Sequence, residues 1–276
     1  IMFYIAVIPL LFVPLFWKFL PESLIFLVKA NKQDQARHFL QKVEPAAQVS
    51  ANTQLVLAST DQSGSTSVKE LFSENRAVGT FLFWLAFFMC LLMLYALGSW
   101  LPKLMMAAGY SLGSSLMFLL ALNVGAVIGT ISGGVLADRF DFKRVLIGML
   151  VVGVLSLVGL GFNSPQPVIY LLVSLAGASS IGSSILLYSY VAQYYPVAVR
   201  STGIGWASAV GRTGAIVGPI VIGMLLGMEL PHKWNFIAVA IPGIIGALAI
   251  FFIRPAKKAE IKAEPKVAAS TQAIRS

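Results

Sequence analysis

One cysteine in 276 residues, Cys90, lies inside an apolar run, so neither a disulfide framework nor a thiolate metal site can be built. The two histidines, His38 and His232, stand far apart in polar segments and join no ligand cluster, which leaves no metal or cofactor to expect. Charge is scarce as well. Charged residues make up 11% of the chain and hydrophobic ones 58%, with a mean hydropathy of +0.83. These proportions exclude an ordinary globular chain and predict an all-α polytopic membrane protein. None of the 11 carboxylates falls in the middle of an apolar run, and no catalytic dyad or fused soluble domain is visible, so the chain does not read as an enzyme. A signal peptide is not expected either. The apolar segment 1–17 has no basic leading region and no small-residue cleavage site. It reads as the end of a transmembrane helix that begins upstream, in a chain that is part of a longer one.

What is present is a succession of spans. Residues 18–78 form the single long polar segment. Within it, 31–43 carries Ala36, Phe39, Leu40 and Val43 at helical spacing, while 44–67 is rich in Ser, Thr, Gln and Ala and is expected to be flexible. Ser67-Val68-Lys69-Glu70 matches a capping box and predicts a short helix leading into the membrane. Six apolar spans follow at 79–101, 113–137, 145–162, 168–192, 201–227 and 234–253, and a polar tail occupies 254–276. The connections alternate between two sides. Seventeen of the 20 Lys and Arg lie on one side and only Lys103 and Lys233 on the other, which predicts a cytoplasmic polar segment and a cytoplasmic C-terminus. The net charge of +9 is thereby a topology signal, and nucleic acid is not an expected partner; the lipid bilayer is.

The remaining basic residue, Arg212, is the informative one. It sits near the middle of the fifth complete span, among Gly205, Gly211, Gly214, Gly218 and Pro219. A guanidinium at that depth costs about 3 kcal/mol even on lenient insertion scales, so it faces a bundle interior or a wet path and marks function by default. An anion-binding role is the sharper reading; an ion pair that only assembles helices is the plainer one. The small residues allow close helix packing. The turn Gly133 to Arg144 is dense in charge, and Asp138 there can cap a helix or pair with an arginine. A conformational latch and a simple positive-inside anchor both fit that cluster.

Gly134-x-x-x-Asp138-Arg139 followed by Lys143-Arg144 resembles the cytoplasmic loop motif of the major facilitator superfamily, although Asp141 and Phe142 replace its later Gly and Arg. Pro21-Glu22-Ser23 resembles the sequence after that family's sixth helix. Trp100-Leu101-Pro102-Lys103-Leu104-Met105 with Ala108-Gly109-Tyr110, and Tyr195-Pro196, Arg200-Ser201-Thr202-Gly203 and Gly211-Arg212-Thr213-Gly214-Ala215 with Gly218-Pro219, are similar to the aromatic acid:proton symporters. The resemblance implies the C-terminal six-helix half of such a bundle plus the end of the preceding helix. Residues 1–17 would end the sixth helix, 18–78 would link the halves, 79–253 would form the bundle and 254–276 the tail.

The same resemblance implies a multi-pass transporter of a bacterial-type inner (plasma) membrane. Its substrates would be a small aromatic carboxylate and a proton, and it would work only with the missing N-terminal half. Candidate substrate-binding residues are Arg212, Tyr188, Ser184, Asn123, Trp206 and Tyr95, with Ser179, Ser180, Ser183, Ser189, Phe87 and Phe88 as further hydroxyls and rings. Gly134, Asp138, Arg139, Arg144 and Arg200 are the candidate latch. A porter for another organic anion or a sugar, or an exporter, is the near alternative, and the midspan Arg212 favours an anion over a neutral sugar. A membrane-embedded enzyme or sensor is the remote one. The proton carrier is expected in the missing half, since no span here holds a carboxylate.

Overall fold

The computed structural model describes residues 30–43, 68–73, 75–162 and 164–254, together with positions 14, 22, 27 and 28. Of the expectations above, the apolar start over 1–17 (position 14 apart), the flexible segment 44–67 with the capping Ser67, and the tail beyond Arg254 lie outside the described residues. The chain divides into two compact units, residues 1–63 and 64–276.

In the first unit, helix α1 runs from Gln33 to Val43, with Asp34 in its first turn and Lys42 in its last, both placed favourably for the helix dipole. It starts two residues later than the pattern suggested. Asn31 takes the left-handed conformation (φ 57°) in the turn before it, a backbone state that asparagine tolerates better than most residues. Ala36 is fully covered, and Arg37 pairs with Asp34 at 3.0 Å on the surface.

The second unit opens with a 3-10 turn, Val68–Phe72, in place of the expected short helix. Six helices follow: α2 (Ala77–Ala107), α3 (Leu112–Arg139), α4 (Phe142–Leu160), α5 (Gln166–Tyr194), α6 (Val197–Gly227) and α7 (His232–Phe252). All six are long and apolar enough to cross a membrane. No strand occurs among the described residues. Helices are what a lipid-embedded chain must form, because they satisfy their own backbone groups. Helix α2 outruns its predicted span by two residues at the start and six at the end, and continues through Pro102. Pro219 in α6 and Pro242 in α7 are likewise internal, whereas α3 and α4 contain no proline and α5 carries one only at its start.

Helices α2 and α5 occupy the centre. Helix α6 packs along α2 and α3 along α5, while α4 and α7 pack against each other and against α5 and α2 respectively. Exchanging α2–α4 for α5–α7 leaves this pattern of neighbours unchanged. The flanking pairs meet through glycines. A Cβ at Gly125 of α3 would run into the Ser174 carbonyl oxygen of α5, and one at Gly177 into that of Leu122. On the other flank, a Cβ at Gly214 of α6 would strike the Phe88 carbonyl oxygen of α2, and one at Gly218 that of Leu92. Small residues at these points let backbones touch, which is how helices associate where no hydrophobic effect separates protein from solvent.

At one end of the unit, the Tyr195 hydroxyl donates to Thr80 Oγ1 at 2.8 Å, and Thr80 donates to the Leu71 carbonyl at 2.8 Å. Burial pushes the Tyr195 hydroxyl pKa above its ordinary value. This chain ties the 3-10 turn, the start of α2 and the α5–α6 turn together. The Lys143 ammonium similarly donates to the Ile253 carbonyl at 2.8 Å and lies over the Phe251 ring, fixing the start of α4 to the end of α7.

Candidate substrate site

Arg212 lies at the middle of α6, on its uncovered side. The opposite side of the helix, at Gly203, Ala207, Gly211, Gly214, Gly218 and Ile222, is buried. Gly205, Ala209, Arg212, Ile216 and Ile220 recur at helical spacing on the exposed stripe. The guanidinium has no hydrogen-bond or ion-pair partner among the described residues. The assembly-only reading of Arg212, which needs a buried carboxylate within the bundle, therefore finds no such partner among them.

Around Arg212 the structure gathers part of the candidate set. Ser208, one turn earlier on α6, shares a 3.0 Å hydrogen bond with the Tyr188 hydroxyl of α5. The Tyr188 ring meets Phe87 edge-on at 4.8 Å, and Phe87 lies against Gly211. Tyr188, Ser208, Phe87 and Arg212 thus share one level of the bundle. Trp206, 43% exposed, stacks on Trp84 of α2 at 5.9 Å, and the buried Trp84 Nε1 has no hydrogen-bond partner among the described residues. The result is a guanidinium on the uncovered side of α6, a hydroxyl pair one turn away and the half-exposed Trp206 ring, with Phe87 buried behind them on the Gly211 side. That is the chemistry a planar carboxylate on a ring calls for: a forked donor for the charge and rings for the rest.

Other candidates stand apart. Ser184 is only 5% exposed and spends its hydroxyl on the Ser180 carbonyl one turn back, at 2.7 Å. Ser180 and Ser183 do likewise on their own helix, and Ser179 reaches the Met149 carbonyl of α4. The row of serines is mostly occupied with backbone; Ser189 alone is exposed. Asn123 neither bonds a neighbouring helix nor approaches Arg212. Its amide donates to the Leu119 carbonyl of its own helix at 2.8 Å, and it sits on the exposed side of α3, on the opposite flank. Tyr95 is 47% exposed on α2, two turns beyond Phe88, and joins no ring cluster. Sequence reasoning passed over Ser208 and Trp84. The four-residue step from Ser208 to Arg212 was a usable signal, since it puts both on one helix face.

In the charged turn, Asp138 closes α3 rather than capping α4, whose N-cap is Asp141. Asp138, Arg139 and Arg144 are exposed and without partners among the described residues, so the expected cap or ion pair of Asp138 is not formed within this unit. Gly134 is half-buried with open space where a Cβ would stand. Arg200, near the start of α6, holds its Nε buried without a hydrogen-bond partner among the described residues.

Arg212 thus stands midspan on the uncovered side of a six-helix unit whose two three-helix groups share one pattern of neighbours. The family model of the Major Facilitator Superfamily matches residues 121–276. The chain belongs to the major facilitator superfamily. Among curated relatives, a benzoate transport protein of Acinetobacter baylyi is 47% identical over 254 residues, covering 92% of this chain and 54% of that protein. A gentisate transporter of Corynebacterium glutamicum is 40% identical over 183 residues, 66% of this chain and 41% of its own length. A 4-hydroxybenzoate transporter of Pseudomonas putida is 32% identical over 234 residues, 84% and 51% respectively. This major facilitator chain therefore spans about half the length of the curated relatives it matches.

Proposed function

We propose that this chain forms one half of a secondary active transporter that takes up a small aromatic carboxylate of the benzoate or hydroxybenzoate type together with a proton, by alternating access. The observation that carries the proposal is Arg212 at the middle of α6, without a partner among the described residues and level with the Tyr188–Ser208 pair and the Phe87 ring. The substrates for which these three relatives are named are ring-bearing acids, which supports an acid over a sugar. Residues of the other half, lying outside this chain, would close the site over the exposed side of α6, since midplane sites form between two halves that rock around them. The proton carrier belongs to that half in this reading, because the carboxylates nearest the spans, Asp138, Asp141 and Glu229, all stand at helix ends. The distribution of Lys and Arg supports a plasma membrane orientation with the C-terminus and the turn at Asp138 on the cytoplasmic side.

The test is at Arg212, in the full-length protein containing this chain. Arg212→Ala should nearly abolish uptake of the acid, a penalty of about 2–5 kcal/mol for removing one member of a desolvated charge pair. Arg212→Lys keeps the charge but loses the fork, and should raise the half-saturating concentration strongly. Direct binding of an aromatic acid against its uncharged amide reads the contact itself. Wild type should prefer the acid, and the preference should collapse in the alanine variant. A preference that survives in well-folded Arg212→Ala protein places the anion site elsewhere.

Gly134, Asp138 and Arg200 are proposed as a latch that engages the other half, with Arg139 and Arg144 on the same charged turn. Asp138→Asn should then abolish uptake while leaving abundance in the membrane nearly unchanged. Parallel loss of abundance would mark the turn as an anchor instead.

A further inference from the structure

Away from the Arg212 face, α3 and α4 leave a groove of about 290 Å³ between them, floored by α5. Its walls are Gly129, Gly133 and Leu136 of α3 and Gly148 and Val152 of α4, over Ala178. The groove offers an incoming molecule almost nothing polar. Ser132 donates its hydroxyl to the Ile128 carbonyl, and Ser179 donates to that of Met149. From Gly129 to Leu136 the wall runs about 10 Å along the helix, within the depth of one bilayer leaflet, about 15 Å.

The mouth of the groove is basic. Arg139 continues the α3 stripe of Ser132 and Leu136, and Arg144 precedes Gly148 by one turn on α4, so both stand at the same end in register with the lining. Both are exposed, and neither has a partner among the described residues. Their neighbour Lys143 is drawn away to Ile253 and Phe251. Asp138 continues a different exposed stripe of α3, that of Ile131 and Val135, and neither it nor Asp141 pairs with the arginines. An apolar slot about 10 Å long, ending at two guanidiniums with no partner among the described residues, is complementary to a single amphiphile of negative charge.

We propose that the α3–α4 groove is a binding site for an anionic phospholipid, with an acyl chain between the helices and the phosphate at Arg139 and Arg144. The site does not depend on the substrate reading of Arg212. It gives the two arginines a role apart from Asp138, whose side of α3 is left to the latch.

The test uses the full-length protein reconstituted in mixed phosphatidylcholine–phosphatidylglycerol vesicles, then extracted and weighed intact to identify retained lipid. Wild type should retain phosphatidylglycerol selectively. Replacing Arg139 or Arg144 by Gln should lower retention about fivefold each, and the double replacement about thirtyfold, while Lys at both positions keeps most of it. Gly148→Leu separates the groove from its mouth. A Cβ there meets no neighbouring helix within 4 Å and Gly148 lines the slot, so the leucine enters the groove and should expel the lipid with both arginines intact. Elution as a single folded species is checked for each variant. Equal retention of phosphatidylcholine, or retention unchanged in the double Gln variant, overturns the site. Retention lost with the arginines but kept in Gly148→Leu reduces it to surface charge and equally overturns the groove.

Discussion

The two flanks of the six-helix unit are built alike and equipped differently. On one, α3 and α5 both contribute small residues: Gly125 and Gly129 meet Ser174 and Ala178, and Gly177 and Gly182 meet Leu122 and Gly129. On the other, the glycines at the seam belong to α6 alone: Gly211 receives the side chains of Phe87 and Leu91, and Gly214 and Gly218 meet the α2 backbone at Phe88 and Leu92. Backbone contact is reached either way. The one-sided arrangement adds something the symmetric one does not. It keeps large aromatic side chains at the seam, beside the helix that carries Arg212, Ser208 and Trp206. The α3 flank has no comparable polar set; its exposed Asn123 is turned back on its own helix. Close packing is common to both flanks, and chemistry is placed on one.

That contrast can be broken or sharpened by experiment. The largest effect belongs to Arg212→Ala, described above, against Asn123→Ala on the opposite flank. The asparagine change removes an exposed bond within one helix and should alter uptake by less than about 0.5 kcal/mol in equivalent terms. Matching losses at the two positions would make the flanks functionally equivalent. Next in size are the seams. Gly125→Leu and Gly214→Leu each push a side chain into a facing backbone carbonyl that no rotamer can move aside, and should cost at least about 1–3 kcal/mol of stability, read as a lowered melting temperature in detergent. Gly98→Ala, where a Cβ meets nothing, should instead be neutral or stabilising by about 0.5–1 kcal/mol. If the two seam variants melt like wild type, the close approach is not structural. A smaller loss than at the seams is expected for Tyr188→Phe, which deletes one hydroxyl bond to Ser208 and should cost about 0.5–1.5 kcal/mol. A rise in the half-saturating acid concentration beyond that range would move the hydroxyl from packing into direct substrate contact.

Much of this arrangement was visible in the amino-acid order. The six spans follow from hydropathy, and an arginine in the middle of an apolar run announces itself because so few residues there are polar. Span ends were less legible: the first complete span was expected to end at Leu101, yet α2 continues through Pro102 to Ala107, since an apolar helix in lipid has no better way to satisfy its backbone. Hydroxyls misled. Ser184 looked available, but a serine can return its proton to the carbonyl one turn back, and nothing in composition distinguishes that from a free donor. The pairing of α3 with α5 rather than with its chain neighbour α4 was also hidden, because small-residue spacing marks a contact face without naming the partner. That pairing is what opens the groove beneath Arg139 and Arg144.

The placement of the prolines makes the unit mechanically lopsided. Helices α2, α6 and α7 each lack one internal backbone hydrogen bond, at Pro102, Pro219 and Pro242, while the interiors of α3, α4 and α5 keep theirs. Bending compliance is therefore concentrated in the helix that carries Arg212 and the two stacked beside and behind it. Under a load applied at the helix ends, the α3–α4–α5 side acts as the stiff frame and the α2–α6–α7 side takes up the flexure.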